Sequence, residues 1–357
     1  MASKPRSREI GERLLGAFLR AGAAEVTPDI LQPAETLLDL YGEDIRARAY
    51  VTSDPLRGEM MLRPDFTVPV VEAHMAGDAE PARYCYMGEV FRRQDHRGAA
   101  RANEYLQAGY EVFDREDPEA ADAEVFALFA RLLAHLRLTS TIGDIGILRA
   151  AVEGIDTIAP RKAALARHIW RPRRFHGLLQ RYAGITPVPG GRASLLAAGA
   201  PESAPWIGLR SPEEMAARIA VLRADAAAAP IPAEVVAQLD ALFALSCPAE
   251  EAPARLSALG LASLPPAIAR LERRLAAMAA RGIDTSALRF EASHGRTTME
   301  YYDGFVFTFT AADPALPPVA SGGRYDALTR FLGQGREIPA VGGVIRPGLV
   351  ADLEAQA

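Results

Sequence analysis

Gln107, Gly109 and Glu111 alternate along EYLQAGYEVF (104–113). In an extended strand they share one face, while Leu106, Ala108, Tyr110 and Val112 share the other. At strand spacing Gln107 and Glu111 lie roughly 13 Å apart, with only a glycine between them. The result is a shallow trough with a polar group at each end. Glu111 could meet a cationic amino group, and Gln107 offers both a donor and an acceptor. The same alternation also describes the wet side of an antiparallel sheet, so both readings stand. Asp65 and Thr67, beside Pro64, could hold an ammonium group or cap the helix that VPVVEAHM suggests. Arg92, Arg93, Asp95, His96, Arg97 and Arg101 crowd one turn. Arg92 is a candidate anion contact there, although a solvated loop of mixed charge explains the cluster equally. Tyr301 and Tyr302 precede an aromatic run, and alternation lets only one of them face a pocket. Tyr325 follows paired glycines, which permit close backbone approach to a ligand or turn a plain hairpin.

The remaining residues narrow the chemistry. No phosphate-cradling GxxxxGK[ST], dinucleotide GxGxxG or zinc spacing occurs, and the six histidines form no ligand set or nucleophile–base pair. Cys85 and Cys247 are far apart and read as buried, reduced thiols. Neither a metal nor a cofactor is expected. The 40 Lys and Arg are outnumbered by 45 Asp and Glu, so the 357 residues carry no cationic excess for binding nucleic acid. The N-terminal MASKPRSREIGERL lacks the apolar stretch of a signal peptide, and no apolar run approaches a membrane span. A cytoplasmic protein is expected.

Several elements must position these groups. Ile10, Leu14, Leu15, Phe18 and Leu19 stripe a helix over 6–22 that stops at Gly22. RYCYMGEVFRR and EYLQAGYEVF read as strands joined by a polar loop too long for a tight turn. A helix over 119–137 carries Val125, Phe126, Phe129, Leu132 and Leu133 on one side. From 149 to 287 alanine dominates, prolines interrupt amphipathic helices, and Ile268, Leu271, Leu275 and Met278 form the clearest stripe. MEYYDGFVFTFTA then restores strand alternation, with Phe305, Phe307 and Phe309 on one face. PVASGGRYDAL and PAVGGVIRPGL each read as an apolar strand meeting a glycine-rich turn. The expected class is α+β, a mostly antiparallel sheet flanked by helices. Its core spans 1–148 and 288–357, and 149–287 is a helical insertion.

Taken in order, LRPDFT, GEVFRRQ, EYLQAGYEVF, EYYDGFVF, SGGRYDAL and AVGGVIRPGL resemble the catalytic core of the class II aminoacyl-tRNA synthetases, specifically the histidyl type. The resemblance covers nearly the whole chain, with the alanine-rich insertion matched only loosely. It implies a histidine site: Asp65 and Thr67 fall where the family contacts the ammonium group. Gln107, Glu111, Tyr302 and Tyr325 match further histidine-binding positions.

Departures from that pattern carry the functional reading. Adenylate formation needs cationic groups to hold the triphosphate and stabilise charge on phosphorus. Arg92 keeps the arginine of the second class II motif, but Gln94 replaces its acidic companion. Leu349 stands where the third motif places an ATP-bracing arginine. Thr297 stands where the histidyl family places another, with Arg296 one residue away. Loss of one such donor typically costs about two to three powers of ten in rate. The sequence runs only eight residues past Leu349, so no anticodon-binding domain is expected. In these respects it is similar to the regulatory subunits of ATP phosphoribosyltransferase. That similarity implies a non-catalytic dimer within a hetero-oligomer, partnering the short-form catalytic subunit in histidine biosynthesis. It also implies L-histidine as ligand, with a role in feedback, and no part for tRNA or membrane. The alternative is a histidine-activating, synthetase-like enzyme.

Overall fold

The computed structural model describes residues 2–41, 49–77, 79–93, 102–198, 209–296 and 301–356. Helix α1 (Lys4–Arg20) starts at Ser3, whose hydroxyl accepts the Arg6 N–H, and Pro5 fits its first turn. It buries Ile10, Leu14 and Phe18, but Leu19 stays exposed, so the apolar stripe is narrower than the sequence suggests. Strand β1 (Ala24–Glu25) follows. Strands β2 (Leu31–Pro33), β3 (Val51–Asp54) and β4 (Gly58–Leu62) form a small antiparallel sheet, with helix α2 (Ala34–Tyr41) leaving from β2.

Helix α3 (Thr67–Met75) precedes the two longest strands, β5 (Ala82–Phe91) and β6 (Glu104–Phe113). Asp117 caps helix α4 (Pro118–Leu133) by accepting the Ala120 N–H, and Pro118 opens it. Strand β7 (Thr139–Asp144) ends on Asp144, which caps α5 (Ile145–Glu153) through the Gly146 N–H. A run of helices follows: α6 (Ala159–Arg167), α7 (Pro172–Tyr182), α8 (Gly190–Ala198), α9 (Pro212–Ala227) and α10 (Ala233–Ala244). After strand β8 (Ser246–Pro248) come α11 (Ala252–Ser257) and α12 (Pro265–Ala280). The chain finishes with β9 (Arg289–Glu291), β10 (Phe305–Thr310), β11 (Ala320–Arg324), α13 (Asp326–Leu332), β12 (Ala340–Ile345) and α14 (Pro347–Glu354).

The fold is α+β. Among the described residues, nine strands form one sheet in the order β1-β5-β6-β12-β11-β10-β7-β9-β8. All neighbours are antiparallel except β1–β5 and β7–β9. The alanine-rich segment is helical but also supplies β8 to the sheet edge, an element its composition concealed. Phe126 and Phe129 of α4 pack on Phe305, Phe307 and Phe309 of β10, with Phe126–Phe309 stacked at 5.2 Å. Cys85 and Cys247 are buried free thiols.

Two expectations about glycine and tyrosine fail. The glycine pairs of SGGRYD and AVGGVI lie inside β11 and β12 rather than in turns. Tyr301 and Tyr302 precede β10 in irregular backbone, so strand alternation does not separate them. Their rings meet at 4.7 Å, and Tyr301 also reaches within 6.1 Å of Tyr325.

A buried chain of charges ties α12 to the sheet. Arg274 of α12 donates to Asp122 of α4 at 2.7 Å and to Asp144 at 2.8 Å. Arg324, at the end of β11, donates to the other Asp122 oxygen at 2.7 and 3.1 Å and to Asp326 at 3.0 Å. Asp122, Asp144, Arg274 and Arg324 are all buried. Each charge has a hydrogen-bonded counter-charge, the condition under which such groups survive in an apolar interior.

Candidate functional site

Glu111 of β6 is only 1 % exposed, so its face of the sheet is not a solvated one. Its neighbours across the ladders are Tyr84 on β5 and Gly342 on β12. A methyl group on Gly342 would overlap the Glu111 Oε2, so this glycine makes room for the carboxylate. Gly342→Ala should therefore push Glu111 off its partners and weaken any ligand held there. The same change at Gly191, where an added carbon meets nothing, should be silent in a parallel binding assay.

Three hydroxyls converge on that carboxylate. Thr67, the first residue of α3, donates to Oε1 at 3.2 Å, and Tyr86 of β5 donates to the same oxygen at 2.8 Å. Tyr325 donates to Oε2 at 2.6 Å. No Lys, Arg or His forms an ion pair with Glu111 among the described residues. Burial pushes its carboxyl up to about 7; the three hydroxyls oppose that rise and the nearby Asp65 charge adds to it. The Tyr86 and Tyr325 phenols are held well above their usual range, first by burial and then by the Glu111 charge.

This shift makes stability depend on pH. Glu111 binds its proton more tightly in the fold than in the open chain, where its value is near 4.5. The fold is therefore unpenalised below that value, loses stability as pH rises toward 7, and stays penalised above it. Two to three pH units correspond to about 3 kcal/mol. Glu111→Gln, which keeps the shape without the charge, should match the wild type near pH 5 and exceed its stability at pH 8. Urea unfolding at both values measures this; a gap that does not change with pH would count against a buried, ionising Glu111.

Tyr86 was invisible in the sequence as a site residue. Its register partner is Gly109, and a methyl there would overlap the Tyr86 ring. The trough expected between Gln107 and Glu111 is thus floored by the Tyr86 phenol rather than open at the glycine. Phe66 stacks on Tyr86 at 4.2 Å and the Arg63 guanidinium lies 3.9 Å over Phe66. Arg63 is anchored by donating to the Glu89 carbonyl at 2.9 Å. The RPDFT segment thereby holds one wall of the site through Phe66 and reaches its centre through Thr67.

The opposite wall is the GGRYD segment. The Tyr325 N–H donates to the Ala340 carbonyl at 2.9 Å, while flanking Arg324 and Asp326 belong to the buried charge chain. Asp303 accepts the Asp326 and Ala327 N–H groups at 3.0 and 2.8 Å, fixing the start of α13. Burial and the neighbouring Asp326 push the Asp303 carboxyl up to about 6. Tyr302 is buried against Gly323, where an added carbon would meet its ring at 2.9 Å. Burial and the Glu111 charge raise its phenol above the usual range.

Asp65 is buried and accepts the Val68 N–H at 3.5 Å, the outer limit of a hydrogen bond, so it caps α3 only weakly. Its charge is felt by Glu111, Tyr86 and Tyr302. Gln107 is 1 % exposed, and its Oε1 accepts no hydrogen bond among the described residues. Arg92 lies at the rim, where its Nε donates to the Pro64 carbonyl at 2.7 Å and its charge reaches Tyr302.

The guanidinium groups near the two altered positions serve other partners. Arg296 donates to the Ile169 carbonyl at 2.7 Å and lies 4.3 Å over Phe243 and 5.7 Å over Phe175, with burial lowering it to about 10. Arg346 donates to the Pro318 carbonyl and lies 5.7 Å over Tyr105. Leu349, in the first turn of α14, packs partly buried against the core. Thr297 and the basic turn residues Gln94, Asp95, His96, Arg97 and Arg101 lie outside the described residues.

The assembled site is rich in acceptors and poor in cations. Glu111 has about four lone-pair positions and three are filled, while Gln107 keeps an unused buried acceptor. Such a cluster suits a small ligand carrying positive charge and several N–H donors. Among the described residues no group of His, Cys, Asp and Glu is arranged to hold a metal ion, and no helix is long and apolar enough to cross a membrane.

Comparison with known proteins places these features in a family. The histidyl-tRNA synthetase family model matches residues 2–176 and 215–347. An ATP phosphoribosyltransferase regulatory subunit from Rhizobium etli is 32% identical over 364 residues, spanning 94% of each chain. Another from Agrobacterium fabrum is 34% identical over 362 residues, again with 94% of each chain covered. Among solved structures, an ATP phosphoribosyltransferase regulatory subunit/histidyl-tRNA synthetase from Bacillus halodurans matches 99% of this chain and 81% of its own. It has a TM-score of 0.70 at 19% identity. A histidine–tRNA ligase subunit from Alicyclobacillus acidocaldarius matches 100% of this chain and 96% of its own, with a TM-score of 0.62 at 22% identity. The chain belongs to the histidyl-tRNA synthetase-like family and, within it, to the regulatory subunits of ATP phosphoribosyltransferase.

Proposed function

We propose that this chain is a non-catalytic regulatory subunit that binds L-histidine at Glu111 and controls a short-form ATP phosphoribosyltransferase catalytic subunit in histidine biosynthesis. The observation that carries the reading is a carboxylate buried to 1 % exposure with three hydroxyl donors and no cationic partner among the described residues. A buried charge left so is costly until a cation arrives, which gives histidine binding its driving force. The ligand's ammonium and imidazole N–H groups find acceptors in Glu111, Asp65 and the unused Gln107 oxygen, within walls made by Tyr86, Tyr302 and Tyr325.

A regulator transmits such binding when its assembled states differ in histidine affinity. A dimer inside a hetero-oligomer supplies those states. Catalysis by the chain itself is disfavoured by Leu349 and Thr297, neutral side chains where adenylate chemistry wants guanidinium groups. Arg346 and Arg296 make poor substitutes, because both already hold carbonyls. Two assays separate the readings. Phosphoribosyl transfer that needs both chains supports the regulator; histidine-dependent exchange of pyrophosphate into ATP by this chain alone supports a synthetase.

A further inference from the structure

Residues 157–198 contain eight of the 40 Lys and Arg and none of the 45 Asp and Glu, which leaves the rest of the chain at a net charge of −13. Asp225 of α9 accepts both Arg161 and Arg192 and offsets part of this charge, and Lys162 donates to the Glu153 backbone carbonyl at 2.8 Å. Arg167, at the end of α6, and Arg173 and Arg174, in the first turn of α7, are exposed. None of the three has a carboxylate within ion-pair distance among the described residues. Arg171, the residue just before α7, is exposed beside them.

The placement is electrostatically unfavourable in the free chain. The start of a helix carries partial positive charge and favours acidic neighbours, yet α7 has no acid in its first turn and, among the described residues, no side-chain cap. Cations there repel both the helix end and one another, and an approaching anionic surface relieves both.

We infer that the α6–α7 surface is the docking face for a carboxylate-rich patch on the catalytic partner, an assignment that rests on the regulatory reading above. Charge decides between macromolecules. A polynucleotide would run off the arginines onto a remainder carrying −13, whereas an acidic protein patch can match the local cluster. Seven of the eight cations are arginine, whose planar fork pairs carboxylates bidentately and is enriched at protein interfaces.

The test compares assembly of purified full-length chains with the catalytic subunit by calorimetry at low and high salt. One variant carries Arg167→Glu, Arg173→Glu and Arg174→Glu. A control carries the same change in charge at the exposed Arg20, Arg57 and Arg223. The expected result is salt-weakened wild-type assembly, a loss of about 100-fold in the first variant, and a change of less than about threefold in the control. An Arg173→Gln/Arg174→Gln variant, less demanding on folding, should fall between. Wild-type affinity in both variants overturns the surface alone. Failure of the wild type to assemble overturns the regulatory reading and the surface with it. Unchanged assembly with lost binding of bulk tRNA assigns the arginines to nucleic acid and overturns the proposal.

Discussion

Glu111→Ala should lower histidine affinity by at least about 100-fold, measured by titration calorimetry at pH 8. Removing one partner of a buried, hydrogen-bonded charge pair costs about 3–5 kcal/mol, and 1.4 kcal/mol is tenfold in affinity. The loss is expected to be large because the variant removes the acceptor that Thr67, Tyr86 and Tyr325 share. Their hydroxyls then face a ligand that also wants acceptors. Tyr86→Phe removes just one donor and should cost about 0.5–2 kcal/mol. Equal affinities for wild type and Glu111→Ala would remove histidine from this site.

Arg274→Ala is expected to produce the largest stability loss. Arg274 faces two buried carboxylates, Asp122 and Asp144. Asp122 keeps Arg324, but Asp144 loses its guanidinium and, among the described residues, retains only the Gly146 N–H at 2.8 Å. A destabilisation of about 3–5 kcal/mol follows from leaving a charge buried without its partner. Denaturant unfolding of Arg274→Ala and of Arg274→Ala/Asp144→Asn measures it. The double variant should recover part of the loss, because the uncompensated carboxylate is gone. No recovery would place the cost in lost packing of the long side chain over Phe305, which lies 4.8 Å from the guanidinium carbon.

How far the site could be read from sequence depended on the range of each signal. Alternation along 104–113 is local, so it placed Gln107 and Glu111 on one face before any partner strand was known. It did not show that α3, Tyr86 and Tyr325 would bury that face, because burial comes from elements distant in the chain. Tyr86 opposite Gly109 is a cross-strand relation, and the loop between β5 and β6 was too long to fix the register. Gly323 and Gly342 read as turn formers because a glycine-rich pair is a local turn signal. Their purpose lies in side chains from other segments, the Tyr302 ring and the Glu111 carboxylate. The Asp144–Arg274–Asp122–Arg324 chain was least legible, since its members are up to 202 residues apart. By contrast, the ordered segments from RPDFT to AVGGVIRPGL were enough for the family, because their order constrains more than any one of them.

The decisive measurement is phosphoribosyl transfer by the catalytic subunit across a histidine titration, run without this chain, with the wild type and with Glu111→Gln. If Glu111 is the sensor, transfer requires the wild-type chain and falls as histidine rises. The Glu111→Gln mixture would then stay active at histidine concentrations that silence the wild type. Identical inhibition curves for the two mixtures would show that histidine acts elsewhere.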